Sequence, residues 1–194
     1  MSRVRQSGNP MKKAIISVIG YDRPGIIAII TKILFKQGCN IENVHQTILQ
    51  SQFAGTFIAS FPASLSVDVL DQRLSREMAP HGFEAHVIEF DRRDAVFDDT
   101  GSESFVITTK GPDRKGLVAG ITAVIADHGA NVTNLQAVFK GGDDPSDNIM
   151  IYEVDIPIHT RLETFYKDLR VRAEALDLKI SIQHRNIFEA INRI

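Results

Sequence analysis

The 194 residues are 43% hydrophobic and 24% charged with a net charge of -2, which excludes a chain too polar to fold and provides no positive field to gather a phosphate backbone. The single cysteine, Cys39, precludes an intramolecular disulfide, and no apolar run approaches the roughly 20 residues of a membrane-spanning helix. A cytoplasmic protein that contacts neither nucleic acid directly nor a membrane is expected.

The opening MSRVRQSGNP carries two arginines but lacks the apolar core of a secretory signal, so residues 1–11 are expected to be a disordered tail, at most a transit remnant. Residues 14–19, AIISVI, are a β-branched run interrupted only by Ser17, which predicts a mostly buried strand ending at Gly20. Pro24 suits a first helical turn because it lacks an N–H where none is needed, and Asp22 can accept from the free N–H groups there. Ile26, Ile27, Ile30, Ile33 and Leu34 then recur at helical spacing as far as Gly38, predicting an amphipathic helix of about 14 residues. Strands are expected over 40–49 and 53–61, with Phe57, Ala59 and Phe61 on one face and Pro62 closing the second. Val67, Leu70, Leu74 and Met78 predict another helix ending near Pro80–Gly82. Phe83, Ala85, Val87 and either Ile88 or Phe90 form a last strand.

The second half repeats the first. An offset of 91 lays Gly20–Asn43 over Gly111–Asn134, and ten of the 24 positions are identical: Gly20, Asp22, Arg23, Gly25, Ala28, Ile30, Thr31, Gly38, Asn40 and Asn43. Strands are expected near 105–109, 132–140, 149–156 and 178–183, with helices around 117–125 and 162–176. The fold class is therefore α+β: two ferredoxin-like βαββαβ domains, each an antiparallel sheet with both helices on one face. The domains run over 12–91 and 104–185, joined by a charged linker at 92–103. In the tail 186–194, Ile187, Phe188, Ile191 and Ile194 share a helical face, which is expected to dock on its own sheet.

The repeated Gly-x-Asp-Arg-x-Gly joins a strand to a helix N-terminus, where backbone N–H groups and the helix dipole favour an anion. Gly25 and Gly116 leave room for a ligand to approach the backbone. Asp22 and Asp113 can pair with an ammonium group, and Asn40, Asn43, Asn131 and Asn134 offer amides at the start of the next strand. Together these describe an amino-acid pocket. The same residues also read as helix caps and turn formers, the commoner use of such positions.

No catalytic motif accompanies them. GxSxG, HExxH, paired CxxC, a Walker lysine and GxGxxG are all missing, so neither an enzyme nor a cofactor is expected. His45, His81, His86, His128, His159 and His184 lack metal-ligand spacing, and no metal site is expected. Asp143, Asp144 and Asp147 lack the EF-hand pattern and read as a solvated hairpin loop. Cys39 reads as a packing residue.

GYDRPGIIAIITKILFKQGCNIENVHQ and GPDRKGLVAGITAVIADHGANVTNLQA both resemble the ACT domain, a small-molecule-binding regulatory module, in its G-x-D-[RK]-x-G opening and G-x-N-[IV] middle. Two such domains with little else resemble the glycine cleavage system transcriptional repressor family. The opening is also similar to the amino-terminal domain of formyltetrahydrofolate deformylase, and a stand-alone relative of that regulatory domain is an alternative, as is an assembly module without a ligand. The resemblance implies a non-catalytic sensor of a small amino acid, glycine- or serine-like, bound at ACT-domain interfaces and modulating a regulatory protein partner, with a homodimer as the expected assembly. By position it implies Asp22, Arg23, Pro24, Gly25, Ile26, Asn40 and Asn43 as site residues, and in the second copy Asp113, Arg114, Gly116, Leu117, Asn131 and Asn134. Lys115 stands in place of Pro24, Gly120 interrupts the second helix, and the second hairpin is longer by four residues. These departures make the second copy the weaker candidate.

Overall fold

The structure, a computed structural model, describes residues 11–90, 101–139 and 148–191. The chain divides into two compact units, Met1–Ala95 and Val96–Ile194. The first contains β1 (Met11–Tyr21), α1 (Ile26–Lys36), β2 (Asn40–Leu49), β3 (Gln52–Pro62), α2 (Val67–Met78), a 3-10 turn over Ala79–His81 and β4 (Phe83–Glu89). Its antiparallel sheet has the order β2-β3-β1-β4.

Period-two alternation decides which face of that sheet is covered. Ala14, Ile16 and Val18 of β1 and Phe53, Phe57, Ala59 and Phe61 of β3 are buried against Ile26, Ile30, Ile33 and Leu34 of α1 and Leu70, Leu74 and Met78 of α2. This is the face expected from the phenylalanine spacing. Helix α2 begins where Ser66 Oγ accepts from the Val69 N–H, a conventional cap.

The second unit contains β5 (Ser102–Gly111), α3 (Leu117–Asp127), β6 (Asn131–Phe139), β7 (Asn148–Pro157), α4 (Leu162–Ala175), β8 (Lys179–His184) and α5 (Arg185–Ile191). Its sheet order, β6-β7-β5-β8, is that of the first unit. Phe105, Ile107, Tyr152, Val154 and Ile156 pack with Leu117, Ile121, Ile125, Phe165, Leu169 and Ala173. The α+β class and the βαββαβ order of both units are as the sequence predicts.

Several expectations need correction. Helix α1 has 11 residues, because Gly25 is its N-cap and Pro24 stays outside it. Gly120 does not interrupt α3: it is buried mid-helix, and a Cβ there would lie 2.7 Å from Leu176 Cδ1 and 3.0 Å from Arg172 Nε. The missing side chain lets α3 approach α4 closely, an approach that outweighs the modest helical cost of glycine. Strand β5 starts at Ser102, inside the stretch expected as linker. Helix α5 touches β5 and β8 of its own unit, as self-docking requires, although Ile187 is exposed. The GGDDPSD loop with Asp143, Asp144 and Asp147, residues 1–10, most of the expected linker and Ile194 lie outside the described residues.

Cys39 follows α1 and joins the first core. Burial pushes its thiol up to about 11, so almost none of it is thiolate near neutral pH. Relative to an ordinary thiol this predicts roughly hundredfold slower labelling by a thiol reagent in the native chain than in the unfolded one, measured with and without denaturant. Equal rates would show that the side chain is accessible.

Candidate ligand-binding site

The repeated turn is pinned from two sides in the first unit. The Asp22 N–H donates to the Ser51 carbonyl at 2.8 Å, which ties the turn to the β2–β3 hairpin. Arg23 donates to the His81 carbonyl at 2.6 Å and lies 5.3 Å over the Phe83 ring, which ties it to the segment entering β4. The chain then enters α1 through Gly25 at φ 88 and α3 through Gly116 at φ 89, a left-handed conformation that disfavours any other residue.

That entry decides between the two readings of the aspartates. Neither α1 nor α3 has a side-chain cap, and neither has an acidic residue in its first turn. Asp22 and Asp113 stand three residues before the cap position, whereas a capping side chain serves N–H groups two or three residues ahead of it. The expected capping role is thus ruled out. Both carboxylates belong to exposed residues, and nothing approaches within 4 Å of where a Cβ would stand on Gly25 or Gly116. First-turn N–H groups of the helices lack intrahelical partners by construction.

Around the first turn lies a shallow cleft of about 220 Å³. Asp22, Arg23, Gly25 and the start of α1 form one wall, and Gln46 of β2 and Phe53 of β3 form the rest. Its size is below the roughly 300–1,000 Å³ of drug-sized ligand sites and suits a molecule of a few heavy atoms.

The candidate residues do not all meet there. Asp22, Arg23, Gly25 and Ile26 line the cleft, but Pro24, Asn40 and Asn43 do not. In register, Asn43 faces Ile58, which faces Ile15, six residues before Tyr21. At about 3.3 Å per residue, that places Asn43 roughly 20 Å from the turn within its own unit, with Asn40 farther still. In the second unit Asn134 donates to Glu153 Oε1 at 2.9 Å, and Glu153 lies 3.5 Å from Arg185 of α5. Asn131 sits opposite Asp155, at the far end of the sheet. Asp113, Arg114, Gly116 and Leu117 form the second turn and helix start. The recurring Gly-x-Asn-x-x-Asn marks a helix end, a strand start and a register shift between Ile41 and Asn43, matched between Val132 and Asn134.

Gln46 and Phe53 were not singled out by the sequence. Beyond the bulge, alternation places Val44, Gln46 and Ile48 on the helix-covered face, and Gln46 is the polar one. Its counterpart is Ala137. Phe53 faces Gly20 and Asn148 faces Gly111, so Asn148 takes the place of Phe53 in the second unit. Its Nδ2 donates to Asp113 Oδ1 at 3.2 Å. Among the described residues no group of three or more His, Cys, Asp or Glu could hold a metal.

The model of the ACT domain matches residues 12–87 and again residues 103–183. The chain belongs to the ACT domain family. Among its relatives, a UPF0237 protein of Methanococcus maripaludis is 31% identical over 96 residues, 47% of this chain and 99% of the relative. A UPF0237 protein of Methanocaldococcus jannaschii is 34% identical over 92 residues, 46% of this chain and 96% of its own length. These relatives are therefore about the length of one of the two units. Both units have solved counterparts in fold: a protein of Galdieria sulphuraria superposes with a TM-score of 0.70 at 21% identity, covering 90% of this chain and 99% of its own. A protein provisionally described as a glycine cleavage system transcriptional repressor superposes with 0.66 at 17% identity, covering 89% and 96%. At such identities these two likenesses establish the tandem fold alone. Among the described residues no helix is long and apolar enough to cross a membrane.

Proposed function

We propose that this ACT-domain protein is a non-catalytic sensor of a small amino acid, glycine- or serine-like, and that ligand occupancy modulates a regulatory protein partner in the cytoplasm. The observation that carries the reading is the aspartate that no longer has a capping role. Each repeated turn carries an aspartate, Asp22 or Asp113, three residues before the unobstructed glycine that opens a helix whose first N–H groups have no side-chain cap. An α-amino acid brings the complementary pair, an ammonium for the carboxylate and a carboxylate for the N–H groups. Ligand acts by binding one arrangement of the protein more tightly than another.

The site is shallow on one unit and is completed where another ACT sheet abuts it. Strand β2 supports that part of the reading: it is a sheet edge on which Val44 is 50%, Ile48 53% and Leu49 72% exposed. An apolar edge of this kind calls for a covering partner, and a homodimer supplies one. The same edge favours the second reading, an assembly module that pairs sheets and binds nothing. Thermal-shift measurements with the common amino acids at millimolar concentration separate the two. At 100-fold excess over Kd, a ligand that binds only the folded chain adds about 2.7 kcal/mol, which raises Tm by several degrees. A panel in which no amino acid raises Tm, on a chain that sediments as a dimer, selects the assembly reading.

A further inference from the structure

The two units differ most directly beneath the repeated turn. In the first, Val18, Phe53 and Phe57 face the helices. The residues at the same register positions in the second unit are Thr109, Asn148 and Tyr152, which are 1%, 9% and 0% exposed. Three apolar core positions have become polar without becoming exposed. Burial pushes the Tyr152 hydroxyl pKa up, and Thr109 beside it opposes the shift. Asn148 Oδ1, by contrast, is buried with no hydrogen-bond partner among the described residues.

An unmet buried acceptor carries its full desolvation cost, so Asn148 Oδ1 is a poor choice for stability alone. Its orientation is set by the neighbour: Nδ2 donates to Asp113 Oδ1 at 3.2 Å, and exchanging the amide ends would set oxygen against a carboxylate. The group left over is therefore an acceptor, next to a second acceptor on Asp113 and below the entry to α3.

We propose that Asn148 is a ligand-binding residue of the second unit, where its Oδ1 and the Asp113 carboxylate together accept the ammonium group of a small polar amino acid. The inference rests on the sensing reading and adds a second acceptor for the ammonium group in the second unit, supplied by Asn148. An ammonium has three N–H donors and can serve both oxygens at once, whereas an anion or an ether would set lone pair against lone pair. The ligand carboxylate then meets the N–H groups that open α3. Thr109 and Tyr152 lie next on the same face of the sheet, polar neighbours that favour a short hydroxylated side chain over an apolar one. The first unit has Phe53 in this position and no such acceptor, so the two units differ in what they hold.

The test is calorimetric titration of the full chain with glycine and with L-serine, in an Asp22→Ala background that leaves the second unit to be read alone. Adding Asn148→Leu is expected to weaken binding at least tenfold while the unliganded Tm holds or rises, because the orphan acceptor is gone. If the leucine variant does not fold, Asn148→Ser is read by the same criteria. Unchanged affinity in the Asn148 variant overturns the proposal and leaves sensing intact, and a fall in Tm without loss of affinity marks Asn148 as structural. Binding by the unmodified chain but none by Asp22→Ala also overturns it, since the second unit then holds nothing. If the unmodified chain binds neither these two nor any other common amino acid, sensing itself fails and the proposal falls with it.

Discussion

Replacing Asp22 and Asp113 together by alanine is expected to abolish the rise in Tm produced by an amino-acid ligand while leaving the fold nearly intact. The asymmetry follows from what each carboxylate does without ligand. Neither caps a helix, and both residues are exposed. Asp22→Ala falls among surface changes worth about 0.5 kcal/mol or less. Asp113→Ala costs more, about 1 kcal/mol, because Asn148 Nδ2 loses its acceptor. In the proposed complex each aspartate would make a charge-assisted bond to the ammonium worth about 1.5–3 kcal/mol, or roughly 10- to 150-fold in affinity. Thermal shift with and without ligand reads both quantities in one experiment. A ligand-induced rise that survives in the double variant would remove these turns from the site.

The parts of this architecture written in local periodicity were legible in the sequence. The i, i+3, i+7 spacing of Val67, Leu70 and Leu74 gave α2, and alternation through Phe57, Ala59 and Phe61 gave the covered face of β3, because each signal needs only its own segment. The pocket was not local in that sense. Asn40 and Asn43 follow α1 closely in sequence, but 11 helical residues return the chain by about 16 Å toward the start of β1, to the end of the sheet opposite the turn. Gln46 reaches the turn only because β2 then runs back up the sheet, and no motif marks it. Asn148 was concealed by the repeat itself. At the offset of 91 that aligns the turns, Phe53 would fall on Asp144, but the longer second hairpin moves its structural counterpart to Asn148. The copy that looked weaker, with Lys115 for Pro24, thus holds the buried acceptor that the first copy lacks.

Phe57→Ala is expected to produce the largest stability loss, about 3–5 kcal/mol, in the range for removing a buried phenylalanine. Phe57 is 1% exposed at the centre of β3, opposite Ile16 of β1 and Val44 of β2. Its ring and that of Phe53 lie over the bare backbone of Gly55, where a Cβ would stand 3.1 Å from Phe57 Cε2 and 2.7 Å from Phe53 Cζ. Gly55, between the two rings on that face of β3, has no side chain to fill the space, which places the cost near the top of the range. The second unit fills the same slot differently, with Met150 in place of Gly55 beside the smaller Asn148. A loss of this size is a large fraction of the roughly 5–15 kcal/mol that holds a domain folded. Phe53, which shares the slot, is also a wall of the first cleft, so the same substitution loosens that wall. Urea unfolding followed by circular dichroism is expected to show an earlier midpoint for Phe57→Ala. A loss below about 1 kcal/mol would mean that the core closes over the gap and that the Gly55 slot does not fix the rings.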